Sequence, residues 1–188
     1  MNLFILDESP VVAAQQQCDK HVVKMIIESA QMLSTAHRFL DGQLTSRPSK
    51  SGKTNVKYWL LDDFRESYLY KAVHVNHPCT IWTRESVSNY QWHYKHFIAL
   101  CDEYRFRYGK THKTEEVLAD ALSFVPQNIP NGSLTPFRLA MLAYPECIDN
   151  NDVVGSYRKY YHTKQEQFAM KWTKRETPPW FKRIKTNV

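Results

Sequence analysis

From Val11 to Leu40 the chain runs thirty residues without a proline or a glycine, and this stretch constrains the fold more than any other. Ser9 before it suits an N-cap, Pro10 suits the first helical position, and Gly42 supplies a stop. At about 100° per residue, Val22, Val23, Met25, Ile26, Ile27, Ala30, Met32, Leu33 and Ala36 cover most of a helical cylinder. One stripe stays polar: Gln17, His21, Lys24, Glu28, Gln31, Thr35 and Arg38, at i, i+3/i+4, i+7 spacing. A helix apolar on most sides is largely buried. Its polar stripe is then either a solvated face carrying a Lys24–Glu28 pair or the wall of a site.

A chain of 188 residues, 43% of them apolar, can bury one sizeable core, and no low-complexity linker divides it. One domain over 1–188 is expected. Cys18, Cys79, Cys101 and Cys147 show no paired spacing of a secreted scaffold, so reduced thiols and a cytoplasmic location are expected. No apolar run approaches a membrane span, and Met1–Leu6 lacks the basic start of a signal peptide.

The rest of the chain reads as helical too. Met1–Leu6 is short, apolar and extended, and residues 42–57 read as a polar, basic loop. Gly52-Lys53-Thr54 resembles the end of a phosphate-binding loop, but Arg47 stands where that motif needs its first glycine. Helices are expected over Tyr58–Val73, Cys79–Tyr108, Thr114–Phe124, Phe137–Ala143 and from residue 151 or 152 to Trp172. Without any alternation of period two, the fold class expected is all-α: a single-domain helical bundle built on two long helices, with a short extended N-terminal segment.

Cys18-x-x-His21 and His77-x-Cys79 contain metal-capable side chains, but neither has zinc-finger spacing; no metal and no cofactor is expected. The stripe on the first helix offers an imidazole, an amine and a carboxylate, a set suited to acid–base work and anion binding. His37, on another face, reads as a satisfied core histidine. Charge is placed unevenly: from Tyr157 to Val188 nine Lys/Arg face two Glu, a balance of +7 against −1 for all that precedes. That asymmetry predicts an anionic partner, nucleic acid first. Tyr157, Tyr160, Tyr161, Phe168, Trp172, Trp180 and Phe181 interleave with those cations; the rings either stack on bases or face the core.

These pieces together resemble the phage-type pyrimidine-dimer DNA glycosylase/AP lyase, a small all-α UV-repair family. Four features carry the resemblance: the apolar N-terminal segment leading to Ser9; Asp19-Lys20-His21 with Glu28 seven residues after the histidine; the helix His77–Tyr108 with Ile98–Glu103; and the end Pro179-Trp180-Phe181-Lys182. The resemblance implies a base-excision enzyme acting on double-stranded DNA without metal, whose N-terminal α-amine attacks the sugar C1′ and leaves a Schiff base. An α-amine ionises near pH 8 and a lysine near about 10.4, so the former offers far more free base at neutral pH. It further implies catalytic roles for Glu28 and His21, with the amine on Met1, on Asn2, or on Lys24. Substrate contacts are expected from Gln31, Arg38, His77, Arg84, Asn89, Trp180, Lys182 and Arg183. This chain departs from the family where Asn2 replaces a threonine and Ile27 an arginine. Two other readings stay open: another nucleotide- or DNA-modifying reaction on the same scaffold, and a non-catalytic nucleic-acid-binding protein.

Overall fold

The expected thirty-residue helix is in fact two. In the computed structural model, which describes residues 1–184, α1 spans Pro10–Gln15 and α2 spans Asp19–Asp41. Residues 185–188, the end of the basic stretch, lie outside the described residues. The break is made from afar. Buried Arg107 donates to the carbonyls of Gln17 and Gln15 at 2.9 and 3.0 Å, and the Trp172 indole donates to that of Gln16 at 2.8 Å. Three successive carbonyls are thus turned away from helical partners, and backbone groups so satisfied need no helix. Ser9 still caps α1, its hydroxyl accepting from Val12 N–H.

After Gly42 the chain forms an antiparallel hairpin, β1 (Gln43–Pro48) paired with β2 (Asn55–Leu60), in the register Leu44↔Trp59 and Arg47↔Val56. A Cβ at residue 42 would lie 2.5 Å from the carbonyl oxygen of Arg38, so the glycine lets the strand leave the helix end closely. The hairpin overturns the all-α expectation, and with it the basic loop at 42–57. With a helical share of 48% and a two-stranded sheet, the fold is mixed. Period-two alternation marks a strand only when one face is buried; here nearly every residue from 43 to 57 is exposed, so no apolar alternation exists to be read.

The helix expected over Tyr58–Val73 shrinks to α3 (Arg65–Tyr68). Arg38, 1% exposed, explains why. Its guanidinium donates to the carbonyls of Trp59, Glu66, Leu69 and Tyr70 at 2.7–3.1 Å, and to the Glu66 carboxylate at 2.6 Å. A segment wrapped around a buried cation gives up its own helical ladder. The helix expected at Cys79–Tyr108 likewise divides into α4 (Pro78–Thr83) and α5 (Val87–Tyr108). Ser86 caps α5 through Asn89 N–H, and the Asn89 amide takes the carbonyl of Trp82 at 2.8 Å.

Helix α6 (Lys113–Ser123) follows, then an irregular stretch where a helix at Phe137–Ala143 was expected. There the carbonyls of Arg138 and Ala140 accept from the Tyr157 hydroxyl and the Asn2 amide, at 2.7 and 3.0 Å. Helix α7 covers Val153–His162 and ends in a 3₁₀ turn, Thr163–Glu166, well short of Trp172. The core lies between α2 and α5, with α1 and α7 closing it. Leu3, Phe4, Ile5 and Leu6 thread this core at 4% exposure or less. Burying such side chains stabilises by roughly 1.5–3 kcal/mol each, which anchors the N-terminus in one place. Among the described residues no helix is long and apolar enough to cross a membrane.

Candidate active site

The anchored N-terminus meets α2 at Glu28. The Met1 ammonium lies 3.6 Å from Glu28 Oε2, and the Asn2 backbone N–H donates to the same oxygen at 3.0 Å. Lys24, one turn earlier on α2, places Nζ 3.3 Å from Glu28 Oε1. Both carboxylate oxygens are therefore held by nitrogen groups, two of them primary amines. The Thr80 hydroxyl touches the Met1 sulfur at 3.8 Å and fixes the first residue from its other side.

Asn2 positions the segment through its side chain. Its amide donates to Ala140 and its Oδ1 accepts from Phe4 N–H at 2.8 Å. Phe4 adopts φ of +50°, a conformation that costs a bulky residue about 1–3 kcal/mol. The Phe4 ring lies stacked on His21, with centroids 4.6 Å apart. His21 Nδ1 is paired at 2.7 Å with the Tyr161 hydroxyl, which also accepts from Cys18 N–H. Burial, helped by the charges of Lys24, Lys164 and Lys20, pushes the His21 pKa down to about 3. The imidazole is neutral at physiological pH and adds no charge to the site.

Met1, Asn2, His21, Lys24 and Glu28 line one cleft of about 320 Å³. Phe4, Lys20, Met25, Tyr160, Lys164, Gln167 and Phe168 complete its walls. Lys20 sits over the Phe168 ring at 4.4 Å, and Lys164 over Tyr160 at 3.8 Å. Among the described residues neither lysine forms an ion pair, although Lys164 is only 7% exposed. Two cations facing a cleft without carboxylate partners suit an anionic ligand, and the rings beside them suit a flat one.

The other expected substrate contacts are placed differently. Gln31 lies on the same stripe one turn beyond Glu28. His77 caps α4, accepting from Cys79 N–H at 3.2 Å, near enough to the Met1 ammonium for that charge to help burial lower its pKa. Arg38 is enclosed in its cage of carbonyls, and Asn89 clamps Thr135 and Trp82; both are spent inside the fold. Arg84 lies over Phe39 and donates to the carbonyl of Val75 at 2.6 Å. The Trp180 indole donates to Gln16 Oε1 at 2.8 Å, so the ring is tied to α1. Arg183 donates to the carbonyl of Met170, in a groove that Phe168 separates from the cleft, and Lys182 is exposed beside it. Tyr157 and Tyr161 are fully buried, Trp172 and Phe181 nearly so; of the two readings of the C-terminal rings, the core one holds for these four.

Cys18 and His21 remain neighbours, and all four cysteines are free and buried. Among the described residues no group of three or more His, Cys, Asp or Glu is placed to hold a metal ion. No family model, curated protein or solved structure matches the chain. Sequence reasoning gave no site role to Lys20 or Phe4, and it read Tyr160, Lys164 and Phe168 as part of the basic, aromatic C-terminal stretch without joining them to the α2 stripe. Lys20 had a signal, its i,i+4 relation to Lys24; for Lys164 the signal was its place in the basic C-terminal stretch, but only the tertiary fold brings it to α2.

Proposed function

We propose that this cleft is the active site of a DNA base-excision enzyme, a glycosylase with an associated lyase step, acting on double-stranded DNA in a reducing cytoplasm. One observation carries the reading: the first two backbone nitrogens of the chain converge on a single, largely buried carboxylate at the wall of a lysine-rich cleft. If Met1 is retained, its amine stands beside Glu28. If Met1 is removed, the nitrogen of Asn2, 3.0 Å from the same oxygen, becomes the amine.

The chemistry follows from this placement. The unprotonated amine forms a bond to C1′ as the C1′–base bond breaks, and the base leaves with the bonding electrons and takes up a proton. Ring opening and loss of the amine proton give an imine between protein and sugar. Glu28 is placed to receive the proton that the amine sheds and to stabilise the cationic sugar beside it. Lys20 and Lys164 are placed to hold a flanking phosphate. Such chemistry needs the target nucleotide out of the stack, which a cleft of this size and cationic lining accommodates.

Borohydride trapping tests the proposal. Incubating the protein with duplex carrying an abasic site or ultraviolet photoproducts, with borohydride present, should give a covalent adduct whose mass equals protein plus reduced sugar fragment. Absence of an adduct on every such duplex goes against it. A new base or sugar product with the glycosidic bond intact would instead select another modification reaction in the same cleft.

A further inference from the structure

We propose that the β1–β2 hairpin is a DNA-binding arm that enters the major groove of B-form duplex about four to six base pairs from the nucleotide held in the cleft. This inference rests on the reading of the cleft as a site for double-stranded DNA. It concerns a part of the molecule that the proposed chemistry does not use.

The hairpin has no core of its own. From Gln43 to Lys57 its residues are exposed, with partial cover only at Thr45 and Ser49, and a two-stranded ribbon alone in water is marginal at best. Its base is nevertheless held firmly. Arg38 grips the Trp59 carbonyl, and Glu66 accepts from the Tyr58 hydroxyl and from Leu61 N–H. A fixed base under an unsupported ribbon is the construction of an arm that finds its packing partner elsewhere.

Its charge says what that partner carries. Between Gly42 and Leu61 there are four cations, Arg47, Lys50, Lys53 and Lys57, and no acidic residue. Arg47 is committed near the base, over the Tyr58 ring at 3.6 Å and 3.9 Å from Glu66. Among the described residues Lys50, Lys53 and Lys57 form no ion pair. Lys50 and Lys53 flank the turn, where Gly52 takes φ of +71°. The pairing register places Leu44, Ser46, Pro48, Asn55, Lys57 and Trp59 on the face opposite Tyr58. Hydroxyl, amide and ammonium groups on one exposed face are groups that read base edges, and a two-stranded ribbon is of a width that the major groove admits.

Position supplies the register. Lys24 and Arg38 lie fourteen residues apart on one stripe of α2. At a rise of about 1.5 Å per residue they are about 21 Å apart, and at about 100° per residue their directions differ by only about 40°. From Glu28, where the chemistry is placed, Arg38 is ten residues and about 15 Å along α2 and about 80° around it, so the hairpin base lies about 15–21 Å along the helix from the cleft residues that α2 contributes. At about 3.4 Å per base pair that distance spans about four to six base pairs.

The test uses the full chain with Lys50, Lys53 and Lys57 all changed to Gln, substitutions at exposed positions that leave the fold unaltered by its melting temperature. Duplex binding is measured from 50 to 200 mM salt, and borohydride trapping is measured on a short single-stranded abasic oligonucleotide. The expected result is a salt slope smaller than wild type by about two to three, an extra wild-type loss of up to about forty-fold over that range that the variant lacks. Trapping on the short strand should match wild type. The wild-type protein should also lose affinity when the duplex on one side of the lesion is cut from ten to four base pairs, and the variant should not. A variant with wild-type affinity and slope overturns the arm while leaving the cleft reading intact, as does equal dependence on the hairpin for an A-form RNA duplex, whose major groove is too narrow for the ribbon. A wild-type protein without salt-steep duplex binding overturns both.

Discussion

The backbone N–H of Asn2 donates to Glu28 across 3.0 Å, joining the start of the chain to the middle of its longest helix. The bond sits at the cleft wall, and the Glu28 side chain is only 12% exposed. Replacing Glu28 by Gln keeps a carbonyl oxygen able to accept from Asn2 but removes the charge that receives a proton. We expect folding to survive and single-turnover excision to fall on the order of 10²-fold or more, the usual contribution of a positioned acid–base group. Stopped-time gels under saturating protein measure it. A Glu28→Gln protein with undiminished turnover would remove Glu28 from the chemistry.

Two amines are close enough to compete as nucleophile, the terminal one (on Met1, or on Asn2 once Met1 is removed) and that of Lys24, and a simple extension separates them. Adding one glycine before Met1 moves the terminal amine away from Glu28 while leaving Lys24 in place. Trapping is expected to drop by at least about tenfold, with the loss in rate and not in duplex affinity, because positioning of the reacting atom is what the extension disturbs. In the unextended protein, peptide mass mapping should place the sugar adduct on the N-terminal peptide, and Lys24→Met should still be trapped. An adduct mapped to Lys24 assigns the nucleophile to α2 instead.

The parts of the site that were legible in the sequence are those set by helical spacing alone. His21, Lys24 and Glu28 share a face because of their separation, and the structure brings all three to one cleft. Local pattern fails where a distant group decides. The break between α1 and α2 depends on Arg107, some ninety residues on, and no local breaker marks it. Arg38 shares the stripe of Glu28 yet turns inward, because carbonyls from residues 59–70 wrap it. The hairpin was hidden for a different reason: a ribbon exposed on both faces carries none of the apolar alternation that marks a strand. The C-terminal rings were ambiguous because an amphipathic helix with basic outer residues and a base-stacking surface share one composition.

Arg38 therefore tests the fold and not the chemistry. Arg38→Met deletes five hydrogen bonds and leaves four carbonyls and the Glu66 carboxylate without that partner. Breaking such a buried arrangement typically costs about 3–5 kcal/mol. Urea unfolding should show a loss of that order, and amide exchange should quicken first in residues 43–60, whose base the guanidinium holds. Trapping on a short abasic strand, below the melting point, should stay near wild type. A selective collapse of trapping with unchanged stability would place Arg38 in contact with substrate.

Acid is the last probe, and its sign follows from the imidazoles. Burial holds four of them neutral: His21 and His96 are pushed down to about 3, His37 to about 4, and His93 well below its ordinary value. The charges of Lys24 beside His21 and of His96 beside His93 act the same way; at His37 burial and Arg65 outweigh the opposing Asp41, Asp63 and the Phe124 backbone. In the unfolded chain each titrates near pH 6.5, so below that pH the unfolded state binds protons that the folded state refuses. The stability due to these groups is complete above about pH 6.5 and is lost progressively as pH falls toward 4. Each imidazole can remove up to about 1.4 kcal/mol per pH unit in that window, so four together can remove several kcal/mol from a typical total of about 5–15. Urea midpoints at pH 7.5, 6, 5 and 4.5 should fall steeply below 6, and His37→Gln should lessen the slope by about one proton. A midpoint flat from pH 7.5 to 5 would mean that these rings are protonated in the folded protein, and would overturn the neutral His21 on which the cleft's charge pattern depends.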